Sequence, residues 1–167
     1  ARRIALDGRA FLPRNVEGRR FEPLGLVRPP SAAGRDGKIH LVQGDVLHPP
    51  FEAEAFPAVL ALSLLDTVPE PFVALGQLDA LLAPGGLLLV GTPYSWDPRV
   101  TDPRGWWSGP TEADAGTLRN LLAGRHSGLP HLRYEVLREE RRVPWTVPGH
   151  DRLVYRFFLD LVLARKA

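Results

Sequence analysis

Two stretches, Phe56-Pro57-Ala58-Val59-Leu60-Ala61-Leu62-Ser63-Leu64-Leu65-Asp66 and Leu82-Ala83-Pro84-Gly85-Gly86-Leu87-Leu88-Leu89-Val90, decide how this chain folds. Ala58–Leu62 is apolar on consecutive residues, the pattern of a strand covered on both faces by helices in a parallel sheet. Between the two stretches Phe72, Leu75, Leu78, Leu81 and Leu82 recur at spacings of three and four, which predicts a helix over Pro71–Leu82 with one buried stripe. Pro84-Gly85-Gly86 stops that helix, and Leu87–Val90 is the next strand. Strand, helix, strand in this order is a βαβ unit, expected to cross over with right-handed sense.

Outward from this unit the signals weaken. Upstream, Lys38-Ile39-His40-Leu41-Val42-Gln43 reads as a strand, halted by Gly44-Asp45. From Phe11 to Gly37 the chain is broken by Pro13, Pro23, Pro29, Pro30 and several glycines, which predicts an irregular or strand-turn segment serving as an exposed connector. Ala1–Ala10 reads as a short helical stretch, with Asp7 inside it. Downstream, Thr111–Ala123 is a second helix, with Thr111 at its N-cap and Glu112 and Asp114 in its first turn. Leu132–Leu137 alternates apolar and charged residues and Leu153–Ala164 is a long aromatic and branched run. These two segments are expected to form a hairpin, joined by a proline-containing loop over Val143–His150. With no internal repeat and no low-complexity linker, residues 1–167 are expected to be one α/β domain.

Composition narrows the function classes. The 167 residues are 44% apolar and 24% charged, which is globular rather than disordered. A net charge of +2 comes from basic residues scattered among acids, so no nucleic-acid partner is implied. The longest apolar runs are far shorter than the roughly 20 residues of a spanning helix, and no signal peptide opens the chain. No membrane partner is expected, and the absence of cysteine fits a reducing, cytoplasmic setting. It also removes thiolate metal sites and cysteine nucleophiles. The five histidines, His40, His48, His126, His131 and His150, show no metal-ligand spacing, and Ser63 lies in no Gly-x-Ser-x-Gly elbow. Residue 1 is Ala and there is no Met, which predicts a chain cut from something longer.

Gly44-Asp45-Val46, the strand ending in Ser63-Leu64-Leu65-Asp66, and the Leu82-Ala83-Pro84-Gly85-Gly86 turn stand in the order found in class I S-adenosylmethionine-dependent methyltransferases, and residues 38–92 resemble the middle of that family. The resemblance implies a Rossmann-like sheet, mostly parallel, with a carboxy-terminal antiparallel hairpin. It implies S-adenosylmethionine as cofactor, held by Gly44, Asp45, Val46, Ser63, Leu64 and Leu65. A narrower resemblance rests on Thr92-Pro93-Tyr94-Ser95-Trp96, Trp106-Trp107-Ser108-Gly109 and Val16-Glu17-Gly18. These are similar to a bacterial group that includes the methyltransferase domain of ovothiol synthase, which implies methyl transfer to an imidazole nitrogen of a histidine derivative. The chain departs from the family at its front. The Gly-x-Gly loop after the first strand and the acid after the second are not recognisable, so the amino-terminal strands are expected to be missing.

Ligands of open α/β sheets sit at the carboxyl ends of the parallel strands. The loops after Leu62, after Val90 and within the hairpin are expected there, bringing Tyr94, Trp96, Trp106, Trp107 and Trp145 around a small-molecule substrate. Aromatic faces stack on rings and attract cations, but the same residues equally serve as a plug over the sheet. Asp66, Tyr94 and His150 are the polar groups available there, each read first as a turn or packing residue. Methyl transfer demands mostly alignment, so no catalytic base is assigned. The competing reading is a methyltransferase-like module that lacks the cofactor loop and serves in binding or dimerisation. A homodimer is left open.

Overall fold

The computed structural model describes residues 9–27, 40–107 and 117–167. The chain divides into two compact units, Ala1–Gln43 with Thr146–Arg156, and Gly44–Trp145 with Phe157–Ala167.

In the first unit, β1 (Arg9–Glu17) pairs antiparallel with β2 (Arg20–Val27). The connector expected over 11–37 is therefore a hairpin between Phe11 and Leu26, and the helix expected to reach Ala10 gives way to strand at Arg9 and Ala10. The remainder of both expectations lies outside the described residues. Gly18 turns the hairpin at φ 55°, a left-handed conformation that glycine adopts without a Cβ penalty, and Asn15 Nδ2 donates to the Gly18 carbonyl at 3.3 Å. Pro13 stands opposite Pro23, so neither withholds a donor from an unlike partner. Arg14 reaches Asp151 at 3.4 Å, and Asp151 N–H donates to the Val16 carbonyl at 3.2 Å.

The second unit holds a four-stranded sheet in the order β3-β4-β6-β5. Its strands are β3 (Phe56–Leu62), β4 (Leu82–Thr92), β5 (Tyr134–His150) and β6 (Leu153–Lys166). β3 and β4 run parallel with α1 (Pro71–Leu81) between them, so the βαβ reading holds. β4 pairs antiparallel with β6, and the final hairpin is present. The sheet is mixed, with one parallel pair, rather than mostly parallel. Glycine is required in the irregular stretch of β4 between Leu82 and Leu87, because a Cβ on Gly86 would lie 2.7 Å from the Ala83 carbonyl oxygen.

The register assigns the faces. Val59 and Ala61 on β3, Leu88, Val90 and Thr92 on β4, and Val162 and Ala164 on β6 share one side. On that side Ala61, Leu88, Val90, Val162 and Ala164 join Ala74, Leu75 and Leu78 of α1 in one core. α2 (Thr117–Leu122) adds Leu118, Leu121 and Leu122 to it. Gly124 ends this helix at φ 66°, with its N–H on the Leu121 carbonyl. The expected N-cap at Thr111 and the acids at 112 and 114 lie outside the described residues. Lys166 ties the last strand to the end of α1. Its ammonium donates to the Asp79 and Leu82 carbonyls at 2.7 and 3.1 Å, as a cation at a helix carboxyl end should.

Three expectations fail here for physical reasons. Ala58–Leu62 is not covered on both faces: Leu60 is 66% exposed, and Leu62 and Leu87 share its open side. Helices line only one side of the sheet among the described residues. His40–Gln43 is not a strand, and Leu41 and Val42 are exposed, because no strand pairs with them. The loop expected over Val143–His150 is strand β5, and Trp145 belongs to that strand rather than to a loop. β5 ends the strand order, where Pro144 and Pro148 are tolerated on an edge.

Candidate functional site

Because β3 and β4 are parallel, their carboxyl ends lie together. Each is followed at once by a residue in the left-handed region: Ser63 at φ 49° after β3, and Tyr94 at φ 53° two residues after β4. A non-glycine side chain in that region is strained, and such strain collects at functional turns. Local hydrogen bonds hold both turns. Ser63 N–H donates to the Gly91 carbonyl at 2.7 Å, and Tyr94 N–H to Thr92 Oγ1 at 3.0 Å.

Asp66 joins the two loops. It lies in a one-turn 3-10 helix, Leu65–Thr67, is 2% exposed, and its Oδ2 accepts the Ser95 N–H at 2.9 Å. Thr101 Oγ1 adds a second tie, donating to the Val68 carbonyl at 2.7 Å. Three of the predicted tryptophans meet here. Trp96 stacks near Trp106, with centroids 6.4 Å apart, and meets Trp107 edge-on at 5.7 Å. Trp107 is buried, while Trp96 and Trp106 are half-buried. Trp107 is thus a packing residue, and Trp96 and Trp106 keep part of their rings open to solvent. Trp145 is not among them: it is exposed and its ring rests near Phe157, 6.0 Å away.

Gly44, Asp45 and Val46 form a tight turn. Asp45 Oδ1 accepts the Leu47 N–H at 2.9 Å and Oδ2 lies 3.3 Å from His48 Nδ1. These bonds, the Leu47 N–H first, hold the Asp45 carboxyl below its ordinary range. A side chain on Gly44 would meet the Pro50 ring at 2.9 Å. Val46, Leu64, Tyr94 and Trp96 pack against the same hydrophobic core that holds Leu65 and Trp107. His150 belongs to the first unit, where it accepts the Arg152 N–H at 3.2 Å in the β5–β6 turn.

Electrostatics argue against Tyr94 as a base. Burial pushes its hydroxyl above the ordinary phenol range, and Asp160 pushes it further, so the phenol keeps its proton. The loop's two exposed acids are different. Asp97 and Asp102 each clasp the arginine two residues on, Arg99 at 2.6 Å and Arg104 at 2.8 Å. The guanidinium hydrogen bonds, then the backbone N–H of the same arginine, bring both carboxyls from 3.8 down to about 2. A folded value below the unfolded one stabilises the loop above pH 3.8, and that contribution fades as pH falls toward 2. Trp106 Nε1 donates to the Thr101 carbonyl at 3.2 Å between the two clasps, so its emission should be steady down to about pH 4 and change below it. The Asp97→Asn, Asp102→Asn double variant should lose that step; an unaltered step would disprove the assignment.

With this geometry in place, comparison with known proteins gives a direction. Residues 25–90 match the methyltransferase domain. The match takes in β3, α1 and most of β4, the unit that sets the candidate site. It supports the methyltransferase reading and, with it, S-adenosylmethionine as cofactor. Among solved structures, that described for conversion of a disulfide bond into a thioacetal group during echinomycin biosynthesis is similar at 14% identity and a TM-score of 0.51. The similarity covers 81% of this chain and 59% of that one, so the chain spans about three fifths of its length. The shared property is the fold. A putative methyltransferase from Bacillus halodurans C-125 is similar at 18% identity over 74% of this chain and 70% of its own, with a TM-score of 0.43. No curated protein matches the sequence significantly. Among the described residues no helix is long and apolar enough to cross a membrane.

Proposed function

We propose that this chain takes part in S-adenosylmethionine-dependent methyl transfer to a small molecule. The observation that carries the reading is the methyltransferase-domain match over residues 25–90, ending on the two strands whose carboxyl ends hold the strained turns. The donor set fits such a cofactor in part. Among the described residues Ser63 Oγ is buried without a hydrogen-bond partner, and Val46, Leu64 and Leu65 belong to or pack against the core behind it. When bound, the cofactor supplies a methyl group on a sulfonium. The chain's own residues position the acceptor and exclude water around it, work that needs alignment more than acid or base. A finer proposal takes the acceptor as an imidazole nitrogen of a histidine derivative. It rests on the Tyr94-Ser95-Trp96 and Trp106-Trp107 resemblance.

A second reading, a non-catalytic methyltransferase-like binding or dimerisation module, is favoured by one observation. β3 ends the strand order, and no glycine-rich turn following a strand beside it is present among the described residues. Calorimetric titration with S-adenosylhomocysteine separates the two. Micromolar binding is expected, and Asp45→Ala should weaken it by about tenfold, the loss of one charged hydrogen bond. No binding by the folded chain would favour the module, and unchanged affinity in the variant would remove Asp45 from the cofactor site.

A further inference from the structure

A cleft of about 550 Å³ opens beside the amino end of α1. One wall is Glu70 with the first residues of the helix, Pro71–Val73, and the other is the loop after β4, through Val100, Asp102 and Arg104. Ligand pockets commonly enclose about 300–1,000 Å³, so a small organic molecule fits the space. The cleft also lies between the segments that follow β3 and β4, the side on which open α/β sheets take ligands. Its walls are held before anything binds. Thr101 Oγ1 ties the two segments together by donating to the Val68 carbonyl at 2.7 Å. The Phe72 ring is stacked on His126 at 5.1 Å and stands 6.4 Å from Trp107, so packing fixes it in the wall. Rigid walls spare a ligand the cost of ordering them.

Charge decides which class of molecule suits it. The lining is mostly apolar, with Val73 and Val100, both exposed, adding to Pro71 and Phe72. Three charged side chains complete it, and two of them cancel, because Arg104 clasps Asp102 at 2.8 Å. Glu70 is the third. It stands at the N-cap of α1, yet its side chain makes no capping hydrogen bond, and no ion pair reaches its carboxylate among the described residues. The amino end of a helix carries roughly +0.5 of an elementary charge, which offsets a full carboxylate only in part. The cleft therefore keeps a negative balance beside an apolar surface, and its complement is a cation on an apolar body.

We propose that this cleft binds a small organic cation, an ammonium group carried on an apolar ring, with Glu70 as its charge partner and Val73 and Val100 against the ring. The assignment goes beyond the methyl-transfer reading, because the cleft and its charge need no cofactor.

The test is an amide-shift titration of the isotopically labelled whole chain with benzylamine, benzyl alcohol and benzoate, one ring carrying a positive, a neutral or a negative group. Benzylamine is expected to shift the Glu70, Val73 and Gly105 amides saturably and to bind about three- to fivefold more tightly than the alcohol, the scale of an exposed ion pair. Benzoate should bind more weakly than either. Salt at about 0.5 M should remove most of the preference, since the carboxylate is exposed. Glu70→Gln should bring benzylamine and the alcohol to parity without loss of the fold, because the side chain lies on the surface. Equal binding of the three probes by the wild type, a preference for benzoate, shifts confined to other parts of the chain, or no shift at all overturns the proposal, and none of these outcomes depends on a variant. A benzylamine preference that persists in Glu70→Gln overturns it as well. Calorimetry with S-adenosylhomocysteine reads the cofactor on its own, so either reading can fail without the other.

Discussion

Leu88→Ala is expected to lower the stability of the chain by about 2–5 kcal/mol, read as a shift of the urea midpoint at unchanged slope. Leu88 is fully buried on β4, paired with Val59 on one side and Ala164 on the other, and it faces the helices. Truncation removes its transfer free energy and leaves a hole that neither neighbour fills, because both partners are β-sheet residues fixed in register. Leu60, on β3, offers the matched control. It is as apolar, lies in the same sheet, and points to the open side at 66% exposure. Leu60→Ala should stay within about 0.5 kcal/mol of the wild type. A comparable loss at both positions would mean that the open side is covered in solution, and the single helical layer would be refuted.

That contrast marks where the sequence was legible. The stripe Phe72, Leu75, Leu78, Leu81 located α1, because periodicity is a local property, whereas Pro84-Gly85-Gly86, read as the stop before a strand at Leu87, lies inside β4, which starts at Leu82 directly after the helix. Consecutive apolar residues at Ala58–Leu62 suggested burial on both faces, yet strand hydrophobicity does not reveal how many layers pack against it. Lys38–Gln43 has strand propensity, but a strand exists only with a partner, and the described His40–Gln43 has none. Prolines misled in the opposite sense. Pro144 and Pro148 read as part of a loop, whereas the edge strand β5 accepts them; the strand-turn reading of the segment with Pro13 and Pro23 matches the β1–β2 hairpin.

The site divides in the same way. Gly44–Val46, Ser63–Leu65 and the Tyr94, Trp96, Trp106, Trp107 group were proposed from motif resemblance and from their place after strands; of these, Val46, Leu64, Leu65, Tyr94, Trp96 and Trp107 belong to or pack against one core. Trp145 was grouped with them only through a loop that is a strand. Asp66 was read as a turn residue, and its burial had no local signal: the partner that ties it down, Ser95, is 29 positions away. Such long-range pairing emerges only when β3 and β4 are set side by side.

The largest loss within the site itself is expected from Trp107→Ala, about 3–5 kcal/mol. Trp107 is 3% exposed, edge-on to Trp96 and 6.4 Å from Phe72 of α1, so it connects the loop after β4 to the helix beneath. Its indole is the plug. Trp106, stacked beside Trp96 and half-buried, donates a hydrogen bond to the Thr101 carbonyl, and Trp106→Ala should cost about 1–2 kcal/mol, well below the Trp107 loss. Trp107→Phe should restore most of the stability lost in Trp107→Ala, because the ring against Phe72 is kept while the unpaired indole N–H is removed. Urea unfolding of the four proteins, wild type included, checks the order. Equal losses at Trp106 and Trp107 would erase the energetic division between the buried and the half-buried ring.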